Sequence, residues 1–197
     1  MCSTDTSPIL PGAERKSLLE VAIASIRHGL TDGRPLTPDP AHFPSPLAVP
    51  RATFVTLHAD GELRGCIGAL EAVRPLVQDV AYNAYAAAFE DPRFAPLRPG
   101  EVDRITVDIS ILGQAEPVSA ASEADLIRQL RPGVDGLIIA EGAQRGTFLP
   151  SVWESLPQPR EFVQYLKRKA GLPSDYWSNT LKIWRYTTES FGTRDAG

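Results

Sequence analysis

The sequence predicts an α+β fold, an antiparallel sheet flanked by helices, from three local patterns. Asp60-Gly61 sits between two apolar runs, the signal of a tight hairpin, because both central residues of a type I′ turn need positive φ. Ile105-Thr106-Val107-Asp108-Ile109-Ser110-Ile111 alternates strictly, as a strand with one apolar and one polar face does. Helical periodicities fall between such strands, an order that favours α+β over a doubly wound parallel sheet.

In chain order, Leu18, Leu19, Ala22, Ile23, Ile26 and Leu30 recur at helical spacing, so Glu14 to Leu30 is an amphipathic helix. The proline-rich stretch from Thr31 to Pro50 reads as an extended connector along the surface or across a lobe boundary. The hairpin follows, with Phe54 to His58 against Leu63 to Ile67. A helix from Leu76 to Phe89 starts beside Pro75 and ends before Pro92, which pushes Asp91 out of helical geometry. After the alternating strand, Ser122 to Leu130 is a short helix opened by Ser-x-x-Asp. Leu137 to Ala140 and Thr147 to Leu149 read as paired strands. Glu161 to Ala170 is a helix stopped by Gly171, and Leu181 to Tyr186 is a last strand. The expected organisation is a flexible tail over 1–13, one domain over 14–191 and a short tail over 192–197.

Composition narrows the function. A net charge of −4 argues against a broad nucleic-acid surface, which needs a basic face. No apolar run approaches a membrane span, and no basic-then-apolar leader opens the chain, so the expected location is cytoplasmic with no membrane partner. Of the two cysteines, Cys2 lies in a polar start and Cys66 in the hairpin, a pair suited neither to a disulfide nor to a structural zinc site. Histidine spacing supports no metal, and no phosphate loop or dinucleotide fingerprint calls for a cofactor.

Several ordered blocks resemble the AMMECR domain family. They are Phe54-Val55-Thr56-Leu57 with Leu63-Arg64-Gly65-Cys66-Ile67-Gly68, then Asn83-Ala84 through Asp91-Pro92-Arg93-Phe94 to Pro96-Leu97, then Val107 to Leu112. Gly136 to Ile139, Gly146-x-Phe148-Leu149-Pro150 and Lys169 to Pro173 complete the order. Ser151-Val152-Trp153 stands where the family commonly has Gln-Val-Ala. The resemblance implies two lobes with a cleft between them. It also implies kinship with AmmeMemoRadiSam system protein A, found alongside a Memo-like protein and a radical SAM enzyme, which are therefore the expected partners. It brings no mechanism with it.

Cys66 and Asp108 are the candidate catalytic residues, and Arg64, Gly65, Gly68, Asn83, Arg93 and Ser110 the candidate ligand contacts. A two-residue turn at Asp60-Gly61 would set Val55 opposite Cys66 and Leu57 opposite Arg64. Arg64 and Cys66 would then share a face, His58 would point to the other, and a guanidinium beside the thiol would raise its reactivity. A one-residue bulge would invert that arrangement. Gly65 and Gly68 leave room for a close approach to the thiol, and the helix beginning near Pro75 aims amides in that direction. Against this stands a buried cysteine acting as a small hydrophobe. Asp91 reads as a turn residue and Arg93 as an anion contact. Thr106, Asp108 and Ser110 form either a solvated sheet face or the lining of the cleft. Arg160, Lys167, Arg168 and Lys169 read as a solvated helix face. An enzyme or enzyme subunit acting on an anionic or polar small substrate is one outcome, a non-catalytic binding module the other.

Overall fold

The computed structural model describes residues 10–194, which form two compact units, residues 10–112 with 189–194, and residues 113–188. Cys2 and parts of both expected tails lie outside the described residues. The chain builds the first sheet, leaves it to form the second unit, and returns for one last strand.

In the first unit, helix α1 spans Gly12–Asp32 and opens two residues before the periodicity predicts, and Leu10 ahead of it is buried. The connector is less extended than expected, holding a 3-10 turn at Pro40–His42 and the short helix α2 at Ser45–Ala48. Strands β1 (Thr53–Ala59) and β2 (Glu62–Gly68) form the predicted hairpin, with Asp60 and Gly61 at φ of 53° and 89°. Helix α3 covers Leu76–Phe89, and β3 covers Ile105–Leu112. The sheet order is β2-β1-β3-β8, where β8 is Thr188–Gly192. Sequence reading misses β8, since Thr-Glu-Ser-Phe-Gly has little alternation and pairs with a strand far away in sequence.

The alternation in β1 and β3 does what period two requires. Val55, Leu57, Val107, Ile109 and Ile111 point inward, fully buried, into a core shared with α1 and α3. Each such side chain contributes about 1.5–3 kcal/mol relative to exposure. Thr56, His58, Thr106, Asp108 and Ser110 take the other face and stay half-buried.

The second unit has its own core and the sheet order β4-β7-β5-β6. Its strands are β4 (Glu116–Pro117), β5 (Gly136–Glu141), β6 (Gln144–Phe148) and β7 (Lys182–Tyr186). Helices α4 (Glu123–Gln129) and α5 (Pro159–Lys169) belong to the same unit. Ser122 caps α4 as the Ser-x-x-Asp pattern predicts, its hydroxyl accepting from the Asp125 N–H at 3.2 Å. Trp153 stacks on Phe162 with centroids 3.8 Å apart and donates its indole N–H to the Asp135 carbonyl. Lys167 corrects the solvated-face reading of α5. It is 1% exposed, pairs with Glu123 and lies over the Trp177 ring. Long apolar stems let a lysine sit in such a position when its ammonium finds a carboxylate.

Candidate functional site

The hairpin register decides which side chains surround Cys66. Near the turn Ala59 pairs with Glu62 and His58 with Leu63, as a tight turn dictates. The register then shifts, so Leu57 pairs with Gly65 and Thr56 with Cys66, and Arg64 is the extra residue of a β-bulge. The bulge overturns the regular pairing of Val55 with Cys66. With period-two side chains, one inserted residue moves everything beyond it to the other face.

Two contacts account for the bulge. Gly65 turns inward against the backbone of α3, where a Cβ would overlap the Ala87 carbonyl oxygen, so only glycine fits. Arg64 is drawn to Glu101, its Nε and Nη2 donating to the two carboxylate oxygens at 3.0 and 3.3 Å. Glu101 also accepts from the Arg98 N–H. The Arg64 guanidinium, then that N–H, hold the Glu101 carboxyl below its usual range. Arg64 is therefore an ion-paired strut and not the cation beside the thiol.

Cys66 is partly exposed on the outward face, and the Thr56 hydroxyl donates to its Sγ at 3.3 Å. Across β1 from Cys66, Asp108 pairs with the same Thr56. The Asp108 Oδ2 lies 3.0 Å from His58 Nδ1, one position along β1 on that face. Cys66, Thr56, Asp108 and His58 thus share one surface of the β2-β1-β3 sheet. The Thr106 hydroxyl, directly across from His58, is buried without a hydrogen-bond partner. Gly192 of β8 makes room for the Asp108 carboxylate, which a Cβ there would overlap. Ser110 hydrogen-bonds to Ser190 at the far end of the same stripe.

The backbone of Cys66 is held from the loop after α3. Asp91, 4% exposed, accepts from the Cys66 N–H at 2.9 Å and from the Arg93 N–H at 3.1 Å. Arg93 donates Nε and Nη2 to the two Asp91 oxygens and a longer bond from Nη2 to the Cys66 carbonyl at 3.3 Å. The Arg93 guanidinium first, and the Cys66 N–H after it, hold the Asp91 carboxyl far below the ordinary carboxylate range. Asp91 raises the pKa of Arg93 in turn, with a smaller contribution from charge at Cys66. Arg93, half exposed, is the cation that contacts Cys66, through its backbone carbonyl, where local sequence spacing pointed to Arg64.

Other sequence candidates fall away from this surface. Asn83 is 2% exposed, and its amide donates to the Thr53 carbonyl, the Thr53 hydroxyl and Asp79. Asp79 also accepts from the Thr53 N–H and hydroxyl, so this network pins the start of β1 to α3. Burial raises the Asp79 pKa despite those donors and the nearby Arg74. Asp79 stands in the first turn of α3, where the Leu76 N–H donates to the Val49 carbonyl. Gly68 packs against Phe54 and the Thr53 carbonyl, a close approach that leaves no space for a side chain. Among the described residues, no three His, Cys, Asp or Glu side chains gather as a metal site requires. Sequence reading set His58 aside; its signal was the open possibility of a bulge, which no local pattern resolves.

Comparison with known proteins places the chain in a family. The family model AMMECR1 matches residues 19–191. A protein of Methanothermobacter thermautotrophicus is 37% identical over 184 residues, covering 90% of this chain and 93% of the relative. One from Thermotoga maritima is 39% identical over 173 residues, covering 86% and 94%. The crystal structure of an uncharacterised protein from Pyrococcus horikoshii superposes with a TM-score of 0.83 at 32% identity, covering 89% of each chain. That likeness agrees with the α+β fold of two antiparallel sheets and helices read from the sequence. Among the described residues no helix is long and apolar enough to cross a membrane. With a family model spanning both units and relatives above one-third identity over nearly the whole chain, the chain belongs to the AMMECR1 family.

Proposed function

We propose that the outward face of the first sheet is a catalytic surface, and that the chain is an enzyme or enzyme subunit acting on a small polar or anionic substrate through Cys66. The observation that carries this reading is the bulge at Arg64, which brings Cys66 onto the face of the His58–Asp108 pair. A carboxylate on Nδ1 orients an imidazole and leaves Nε2 for proton transfer, the usual arrangement for a general acid or base. Diagonal neighbours across a strand pair stand about 7–8 Å apart, so a substrate's reacting atoms fit between sulfur and imidazole. Cys66 supplies the nucleophile, His58 moves the proton, Asp108 positions His58, and Arg93 faces the substrate's negative charge. Gly65 and Gly68 shape the hairpin, while Ser110 extends the polar stripe.

The test is alkylation of Cys66 by iodoacetamide in the folded protein, followed by intact mass in a Cys2→Ser background. It is joined to complementation of a deletion strain by Cys66→Ala, His58→Gln and Asp108→Asn. The native thiol should label readily, and each of the three variants should fold yet fail to complement. Labelling only after unfolding, together with full complementation by Cys66→Ala, would end the catalytic reading.

One feature favours a binding role instead: no hydrogen bond joins His58 to Cys66, and each is held by another partner. On this second reading the face docks a Memo-like protein or a radical SAM enzyme. A tagged chain that recovers neither protein, and alters the activity of neither, rules it out.

A further inference from the structure

Arg93 keeps hydrogen-bonding capacity beside Cys66 after its partners within the protein are counted. Asp91 takes Nε and Nη2 with its two oxygens, and Nη2 also donates to the Cys66 carbonyl. Nη1 has no hydrogen-bond partner among the described residues, and the side chain is half exposed. The Phe94 ring centroid lies 5.4 Å from the guanidinium carbon, so an aromatic face helps to hold that plane. A planar fork with N–H donors on both edges lets one arginine serve two carboxylates at once. One edge is fixed here by Asp91, whose carboxyl is held far below the ordinary range and is ionised at neutral pH. The Arg93–Asp91 pair is therefore neutral as a whole, and a second negative group is held by hydrogen bonds to Nη1 rather than by excess charge. That favours a monoanion. A dianion would bring further charge towards Asp91 with no cation to offset it, since Arg64 is already paired with Glu101.

Another flank of the thiol is apolar. Leu63 pairs with His58 across the hairpin, and paired residues point to one face, so Leu63 stands beside the imidazole on the outward surface. It is a large apolar side chain left exposed. Resting on the reading of Cys66 as a nucleophile, we propose that its substrate is a small monocarboxylate with an apolar portion. The carboxylate lies on the Nη1 edge of Arg93, the apolar portion on Leu63, and the electrophilic carbon between Sγ and His58.

The experiment compares alkylation of Cys66 by iodoacetate and by iodoacetamide in the Cys2→Ser protein, followed by intact mass. With either reagent the thiolate forms a carbon–sulfur bond and iodide leaves with the electron pair. The two are alike in size and differ in the carboxylate. The rate ratio of iodoacetate to iodoacetamide should be higher in the folded chain than in urea by about threefold or more, the effect of a half-exposed ion pair. Arg93→Gln should return it to the unfolded value, and Arg93→Lys, which keeps the charge without the fork, should fall between. Hexanoate should slow labelling by iodoacetamide more than acetate does, while hexanamide and inorganic phosphate should not slow it. Leu63→Ser should erase the advantage of hexanoate over acetate, and its exposed position predicts an unchanged melting temperature. A ratio equal in folded and unfolded chains overturns the proposal, as does protection by phosphate equal to that by hexanoate. Ligand-observed magnetic resonance of hexanoate with Cys66→Ala separates this proposal from the one it rests on. Binding that Arg93→Gln removes upholds the carboxylate subsite even where Cys66 never labels, a result that ends only the nucleophile reading. No binding, with Cys66 labelling readily, ends the subsite and leaves the nucleophile.

Discussion

Asp91 shows how a single buried carboxylate can set the posture of a candidate site residue through its backbone. It satisfies the Cys66 N–H and pairs with one edge of the half-exposed Arg93 guanidinium while lying almost wholly out of water. Asp91→Ala would leave that N–H without its partner, at a cost of about 1–3 kcal/mol. Urea denaturation should show it, along with slower or faster alkylation of Cys66 as its backbone relaxes. The pH sense follows from the depressed carboxyl. Its stabilisation is present above the ordinary value of 3.8 and drains away as pH falls below it. Glu101, also depressed, acts in the same direction. Asp79 acts oppositely: its pKa is raised by burial, so its contribution is complete below the ordinary range and is lost as pH rises through the raised value. Denaturation midpoints measured from pH 5 downward should therefore fall steeply in the parent protein and less steeply in Asp91→Ala.

At the scale of elements, the hairpin depends on its contact with α3. Gly65 admits the α3 backbone so closely that even a methyl group overlaps the Ala87 carbonyl. Main chain cannot step aside as a flexible side chain can, so Gly65→Ala should cost about 2–3 kcal/mol or more by overpacking. A lowered midpoint in chemical denaturation is the expected result, and an unchanged one would mean that β2 sits elsewhere. The existence of both strands, their turn and the buried face of β1 was legible in Phe54 to Ile67, because period two and Asp-Gly are local signals. The bulge was not legible. It arises from Arg64 meeting Glu101 and Gly65 meeting Ala87, partners 37 and 22 positions away in sequence. β8 escaped for the same reason, having little periodicity of its own and a distant partner.

Across the whole molecule, the two units carry separate cores, one built on β1, β3, α1 and α3, the other on β5, β7 and α5. All three tryptophans, Trp153, Trp177 and Trp184, belong to residues 113–188, whereas Cys66 belongs to the other unit. Fluorescence and Cys66 labelling thus report on different cores. In Gly65→Ala with Cys2→Ser, labelling of Cys66 should advance to lower denaturant by at least as much as the fluorescence transition. A larger shift in fluorescence than in labelling would contradict that placement of the two cores.

By itself the sequence determined the family, the α+β class, and the main helices and strands, the hairpin of Phe54 to Ile67 among them. Those features rest on ordered motifs and on periodicities that a short window contains. Only the tertiary structure decided what Cys66 faces. A single bulged residue, held by contacts remote in sequence, exchanged Arg64 for Arg93 as the nearby cation and put the thiol on the same face as His58 and Asp108. Side chains alternate at every residue along a strand, so the identity of a neighbour across the sheet turns on one register step.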